Sequence, residues 1–441
     1  MRLLLPFFAL FSVAAEPTPA QRGYKALTET AFIPAFWTPR APGLAYKQWG
    51  LDAPPADYWA AFRDRYGLHD APYPNAGLPM GLRKAKYLLG TGFGADCMMC
   101  HGGSVLGTSY VGLGNSSLDI HSLFEDLSRA DGIARKLPFT FSNVRGTNEA
   151  GAFGVYLLGF RDPSLAVRGT WKNLDLHDDM CEDVPAWWLM KKKRTMYHTG
   201  ATDSRSVRSL MQFMMHPLVQ PEDFAKHEAA FRDIQAYLVS LEPPKYPYPT
   251  DGEKAAKGKT LFGENCAKCH GTYGTDWTYP NKVIALDEIG TDPSRYRGIT
   301  EKYGVEYAAS WFAKEKDGWF LNGKLLHQTA GYQAPPLDGI WATAPYFHNG
   351  SVPTLDGVLN SKSRPKLFTR SFKTGEADYD KDKVGWKVML LTSPPAESLP
   401  GIERRKVYDT SKPGRGNAGH TYGDDLTPAE RAALIEYLKT L

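Results

Sequence analysis

The 441-residue chain has only five cysteines, too few for a network of cross-links to carry its stability. It also lacks a strong excess of one charge, with 52 Lys and Arg against 48 Asp and Glu. That near balance gives no electrostatic footprint for a nucleic-acid partner. After Val13 no segment is apolar for long enough to cross a bilayer, which takes about 20 residues. The one dense basic run, KKKR at 191–194, reads as a solvated face. What the chain does have is 42% hydrophobic residues and enough length for a sizeable core in two domains.

The first residues, MRLLLPFFALFSVAAEP, place Arg2 before an apolar run from Leu3 to Val13 and small residues at Ala14 and Ala15. This is the pattern of a secretory signal over residues 1–15, cleaved after Ala15. Pro6 counts against a buried helix there. The expected product is a periplasmic or secreted protein with no integral membrane segment.

Four of the five cysteines form two copies of one pattern, Cys97-Met-Met-Cys100-His101 and Cys266-Ala-Lys-Cys269-His270. On one helical turn, two thiols three apart reach the two vinyl groups along a porphyrin edge. The histidine that follows then sits beneath the ring and can ligate the iron. This is the attachment pattern of a c-type haem. A paired zinc site would bring its halves together within a short loop, whereas Cys100 and Cys266 lie far apart in the chain. A redox dithiol would need a βαβ setting, which the glycines around Cys97 do not provide. Two covalently bound haems are therefore expected, with His101 and His270 as axial ligands. Cys181 is left over as a buried free thiol.

The two halves repeat their organisation. GKTLFGENCAKCH, at 258–270, is an amphipathic lead-in to the second motif, and KYLLGTGFGADCMMCH, ending at His101, plays that part for the first. Each half closes on a helix, over 221–241 and over 427–441. Thr427, Pro428 and Glu430 supply the cap, first-turn proline and capping box of the last one. Pro243 and Pro244 stop the earlier one ahead of a Pro- and Tyr-rich linker. The expected architecture is mainly α: two cytochrome c-like haem domains, 16–245 and 246–441, with long loops and a few short strands, some of them within 366–410.

The segment APYFHNGSVPTL at 344–355 resembles the Pro-Tyr-Phe-His-x-Gly segment of the bacterial di-haem cytochrome c peroxidase superfamily. The C-terminal half is most similar to the di-haem rubber (polyisoprene) oxygenases and their relatives, through 336–355, DYDKDKVGW at 378–386 and GNAGHTYGDDL at 416–426. The resemblance implies an oxidoreductase that activates peroxide or dioxygen at the His101 haem. The His270 haem would relay electrons from a redox partner protein or a small donor. In the peroxidases a calcium ion commonly lies between the domains, but no acidic loop here identifies one.

Each iron needs a decision about its other face. For the second haem the candidates are His420, in a Gly-rich loop able to approach a flat ring, and His348, in an aromatic turn. The oxygenase-like relatives place a distal histidine in the segment matching His420. For the first haem the candidates are Phe213, Met214, Met215 and His216, with Met211 beside them. A methionine cluster at helical spacing equally describes a core, and Phe213 equally describes an apolar lid. His121, His177 and His198 are further acid–base candidates, and Trp277 is a candidate for electron passage between haems. A peroxidase wants a polar distal group and an oxygenase an apolar one. The alternative function is a di-haem electron-transfer cytochrome with no substrate chemistry of its own.

Overall fold

Gly23 and Gly258 mark the crossings of the two main helix pairs. A computed structural model describes residues 15–441 apart from 88–89, 134–135, 138, 176, 315–319, 322–323 and 326–328. The expected leader, but for Ala15, lies outside the described residues. Helix α1 (Pro19–Glu29) packs on α2 (Pro221–Ser240), and α3 (Gly252–Asn265) packs on α4 (Pro428–Leu438). A Cβ at Gly23 would come 1.9 Å from the Asp233 carbonyl oxygen, and one at Gly258 would come 2.0 Å from that of Ala433. Both pairs thus meet backbone to backbone.

Local chemistry explains the helix ends. Thr18 caps α1 and Thr427 caps α4, each with a capping box closed by Gln21 or Glu430 and with proline in the first turn. The expected start of the last helix is therefore found as read. Helix α2 stops at Ser240, just ahead of Pro243 and Pro244.

The lead-in to the first motif differs from expectation. The chain there forms a hairpin, β1 (Leu82–Tyr87) against β2 (Gly90–Ala95), and no helix. Gly90, Gly92 and Gly94 disfavour a helix, and a Cβ at Gly92 would lie 2.3 Å from the Trp37 carbonyl oxygen. A second hairpin, β3 (Gly102–Val105) with β4 (Thr108–Val111), follows the motif. Helix α1, far upstream, takes the place the lead-in was expected to fill.

The architecture is mainly helical with a few short strands. Within 366–410, β5 (Leu367–Thr369) lies between β6 (Met389–Leu390) and β7 (Val407–Asp409). The apolar cores do not divide cleanly at the linker. Leu27, Met98, Phe231 and Leu238 share one core with Tyr303, Tyr307 and Phe312. Phe262, Leu434 and Leu438 share another with Val105, Leu113 and Trp188. Among the described residues, no helix is long and apolar enough to cross a membrane.

Candidate functional site

Helix α3 runs straight into the single turn Ala267–His270, which brings Cys266, Cys269 and His270 together. His270 Nδ1–H donates to the Pro335 carbonyl at 2.8 Å. That bond fixes the tautomer and leaves the Nε2 lone pair free for a metal. The ring facing it is His420, with centroids 6.3 Å apart and planes at 61°. Two metal–imidazole bonds of about 2 Å each, plus about 1 Å from each nitrogen to its ring centre, add to roughly 6 Å. Burial pushes both histidines down, His420 to about 4 with His270 adding to the effect. Each is thus neutral, as ligation requires.

The loop carrying His420 is held by backbone contacts. Its N–H donates to the Ile289 carbonyl at 2.8 Å. The Arg364 guanidinium donates to the carbonyls of Asn417 and Gly419, each at 2.7 Å, and to that of His420 at 3.1 Å. Gly419 has φ of +75°, and a Cβ there would lie 2.3 Å from the Gly290 backbone. The glycine was expected to let the loop approach a flat ring. In the structure it also lets the loop close on residues 289–290, which places His420.

Both histidines line a cleft of about 1690 Å³, its open mouth included, with Cys266, Cys269, Phe262 and Leu434 on its wall. Two thiols on one turn, two facing neutral imidazoles and apolar walls fit an iron porphyrin. Two buried nitrogens at this site have no hydrogen-bond partner, His348 Nε2 and His420 Nδ1.

At the first motif, the turn Met98–His101 sits between the two hairpins. Burial pushes the Cys97 and Cys100 thiols up to about 12 and His101 down to about 4. The Pro185 carbonyl stands by His101 as Pro335 stands by His270, though less well aligned. Trp187 stacks on the face of the His101 ring, with centroids 4.5 Å apart and planes at 23°. The edge of the ring, where Nε2 lies, remains for a metal. The hollow beside Cys97 is tighter, about 320 Å³, and Phe213 lines it.

The other sequence candidates separate clearly. His348 stacks on Tyr332 at 3.9 Å and lies 6.3 Å from the His198 ring, so it belongs to another wall of the cleft. Met211, Met214 and Met215 are fully buried in the N-terminal core. The His216 ring packs edge-on against Phe36, and its Nδ1 accepts from the Leu218 N–H. His121 is engaged by the Phe141 N–H and by Glu125, and His177 is exposed. His198 does line the cleft and bonds the Asp183 carbonyl at 2.8 Å. Trp277 is 41% exposed under Lys192. Among the described residues no cluster of three or more His, Cys, Asp or Glu could hold a metal ion, so the calcium expectation finds no carboxylate-rich site. Cys181 is a buried free thiol beside the Thr147 hydroxyl at 2.9 Å.

The basic run is not simply a solvated face. Lys191 pairs with Glu242, and Lys192 pairs with Asp338 at 2.7 Å. Lys193 turns into the cleft. Sequence reasoning also missed Pro185 and Pro335, Arg364 and Trp187. A proline carbonyl carries no pattern of its own, and Trp187 is one of 11 tryptophans.

Comparison with known proteins adds the family. Residues 331–369 match the model described as RoxA-like, cytochrome c-like. Two uncharacterised proteins of Sinorhizobium fredii are 32% and 28% identical over 46% and 58% of this chain. The cytochrome-c peroxidase IdrP2 of Denitromonas iodatirespirans is 22% identical over 46% of it. The matched spans cover 42%, 64% and 59% of those relatives, less than two thirds of each. Among solved structures, a MauG-like protein associated with microbial copper homeostasis overlays 69% of the chain and 93% of its own length. Its identity is 16% and its TM-score 0.31, too remote to bear on the chemistry. Taken with the two Cys-x-x-Cys-His turns and the 344–355 segment, the RoxA-like match over 331–369 and the similarity to a cytochrome-c peroxidase support the di-haem cytochrome c peroxidase superfamily.

Proposed function

We propose that the protein is an exported di-haem c-type cytochrome oxidoreductase of the periplasm or cell exterior. In this reading Cys266 and Cys269 hold one haem and Cys97 and Cys100 hold the other. The observation that carries it is the facing pair of neutral, buried imidazoles at His270 and His420, set beside two thiols on one turn.

His270 and His420 close both faces of the second site. That leaves no open position for oxygen or peroxide and suits electron relay. Pro335 and the Arg364-held loop keep the two rings oriented, so little reorganises when an electron passes. At the first site His101 would hold the iron, and peroxide or dioxygen would react on the side it leaves open. A bound haem supplies the redox chemistry, while the protein controls ligation, polarity and access. Phe213 and the buried methionines bring apolar groups near Cys97, while the Arg83–Asp96 ion pair lines the same hollow, so the site combines an apolar wall with a polar group able to serve proton movement. Trp187, stacked on His101 and followed by Trp188 in the C-terminal core, takes the inter-site role first expected of Trp277. The leader pattern over residues 1–15 supports export.

Electron paramagnetic resonance of the ferric protein tests this reading. One high-spin and one low-spin haem are expected. Two low-spin haems that bind neither cyanide nor carbon monoxide would instead identify an electron carrier.

A further inference from the structure

Lys191 and Lys192 each meet a carboxylate, Glu242 and Asp338. The next residue does not. The Lys193 side chain enters the cleft that holds His270 and His420, where burial alone acts on it and pushes it down to about 8. No carboxylate or hydrogen-bond acceptor meets its ammonium among the described residues. A half-buried cation without a partner, facing the cleft, favours an anion brought to it.

Its surroundings point the same way. The Lys193 charge acts on His198, whose ring lies 6.3 Å from that of His348. His348 lines the same cleft, with the Asp292 carbonyl as its backbone acceptor. Asp183 also lines the cleft, but burial and the nearby Glu182 hold its carboxyl well above the usual range. No ion pair joins it to Lys193 among the described residues. The cleft beside Cys266, Cys269 and His270 therefore presents an ammonium that no carboxylate of the described residues pairs, a donor that a carboxylate takes.

We propose that the Lys193 ammonium binds a propionate carboxylate of the haem attached at Cys266 and Cys269. The assignment rests on the di-haem reading above. A cation there offsets the propionate charge and favours the ferrous state, so Lys193 sets the potential of the relay haem without touching its iron.

The test is potentiometric titration of the matured di-haem protein, followed at the low-spin α-band. Lys193→Met should lower the midpoint potential of the second haem, and Lys193→Arg should return it close to the original value. Lys193→Gln carries the same expectation as Lys193→Met should that variant mature poorly. An unchanged potential in the neutral variants, with two haems present by pyridine haemochrome assay, overturns the assignment alone. A single haem by that assay overturns the di-haem reading and the assignment with it. A carboxylate could also come from solution. If added acetate shifts the potential of the unmodified protein but not that of Lys193→Met, the site serves a diffusible anion and the propionate assignment fails.

Discussion

His270 and His420 face each other across the cleft with ring centroids 6.3 Å apart, one fixed by the Pro335 carbonyl and the other by a loop bound to Arg364. Burial keeps both rings neutral, and the Arg364 charge adds to the effect at His420. Replacing His420 by Ala should convert the low-spin ferric signal to high-spin and let carbon monoxide bind the reduced second haem. Electron paramagnetic resonance and carbon monoxide difference spectra read both outcomes. An unchanged low-spin spectrum would pass the ligand role to His348.

Arg364 acts on His420 through the backbone. Its guanidinium holds three carbonyls of the 417–420 loop, and hydrogen bonds of this charged kind contribute about 1.5–3 kcal/mol each. Arg364→Lys keeps the charge but loses the planar fork. The expected outcome is a mixed-spin second haem, with a low-spin fraction that falls on warming. Variable-temperature absorption spectroscopy checks it.

Trp187 touches His101, while Trp188 belongs to the core around the second motif. Trp187→Leu should leave both haems attached and their spin states unchanged, yet slow electron exchange between them by tenfold or more, about 1.4 kcal/mol in the barrier. Pulse-radiolysis or flash-photolysis kinetics measure the rate. Trp277→Leu, at an exposed site, should leave it unchanged.

The helix crossings supply a stability test with an internal control. A methyl at Gly258 would collide with the Ala433 carbonyl at 2.0 Å, whereas one at Gly263 in the same helix meets nothing within 4 Å. Gly258→Ala should cost about 3 kcal/mol or prevent maturation. Gly263→Ala should stabilise by up to about 1 kcal/mol through helix propensity. Denaturant titrations of the two variants check the contrast.

Two buried histidines outside the haem sites predict acid sensitivity. Burial pushes His69 and His216 each down to about 4, with nearby arginines adding to the effect. Their folded values lie below the unfolded one, so the unfolded chain binds more protons between the two. Stability should be full above about pH 6.5 and fall as pH drops through about 4, by up to about 3 kcal/mol per histidine. His69→Gln, able to keep the bond to Asn115, should flatten part of that slope in acid-unfolding curves.

What the sequence revealed follows from how local each signal is. The two Cys-x-x-Cys-His turns, the cap at Thr427 and the stop at Pro243 depend on residues within one turn of each other, and all are found in the structure. The pairing of α1 with α2 was not legible, because its marks, Gly23 against the Asp233 carbonyl and Arg22 paired with the Asp233 carboxylate, join residues some 210 positions apart in the chain. The lead-in at 86–95 was read as a helix because the second half has one, while three alternating glycines in fact carry a hairpin. Lys193 looked like its neighbours in KKKR, since sequence does not show which of four adjacent cations lacks an acid. His420 was legible as a candidate, but Arg364, which holds its loop, was not.

The most direct measurement is intact-mass spectrometry of the mature chain, produced in a host that attaches c-type haem. The account predicts two haem additions, one on the peptide with Cys97 and Cys100 and one on the peptide with Cys266 and Cys269. A single addition, or none, would contradict it.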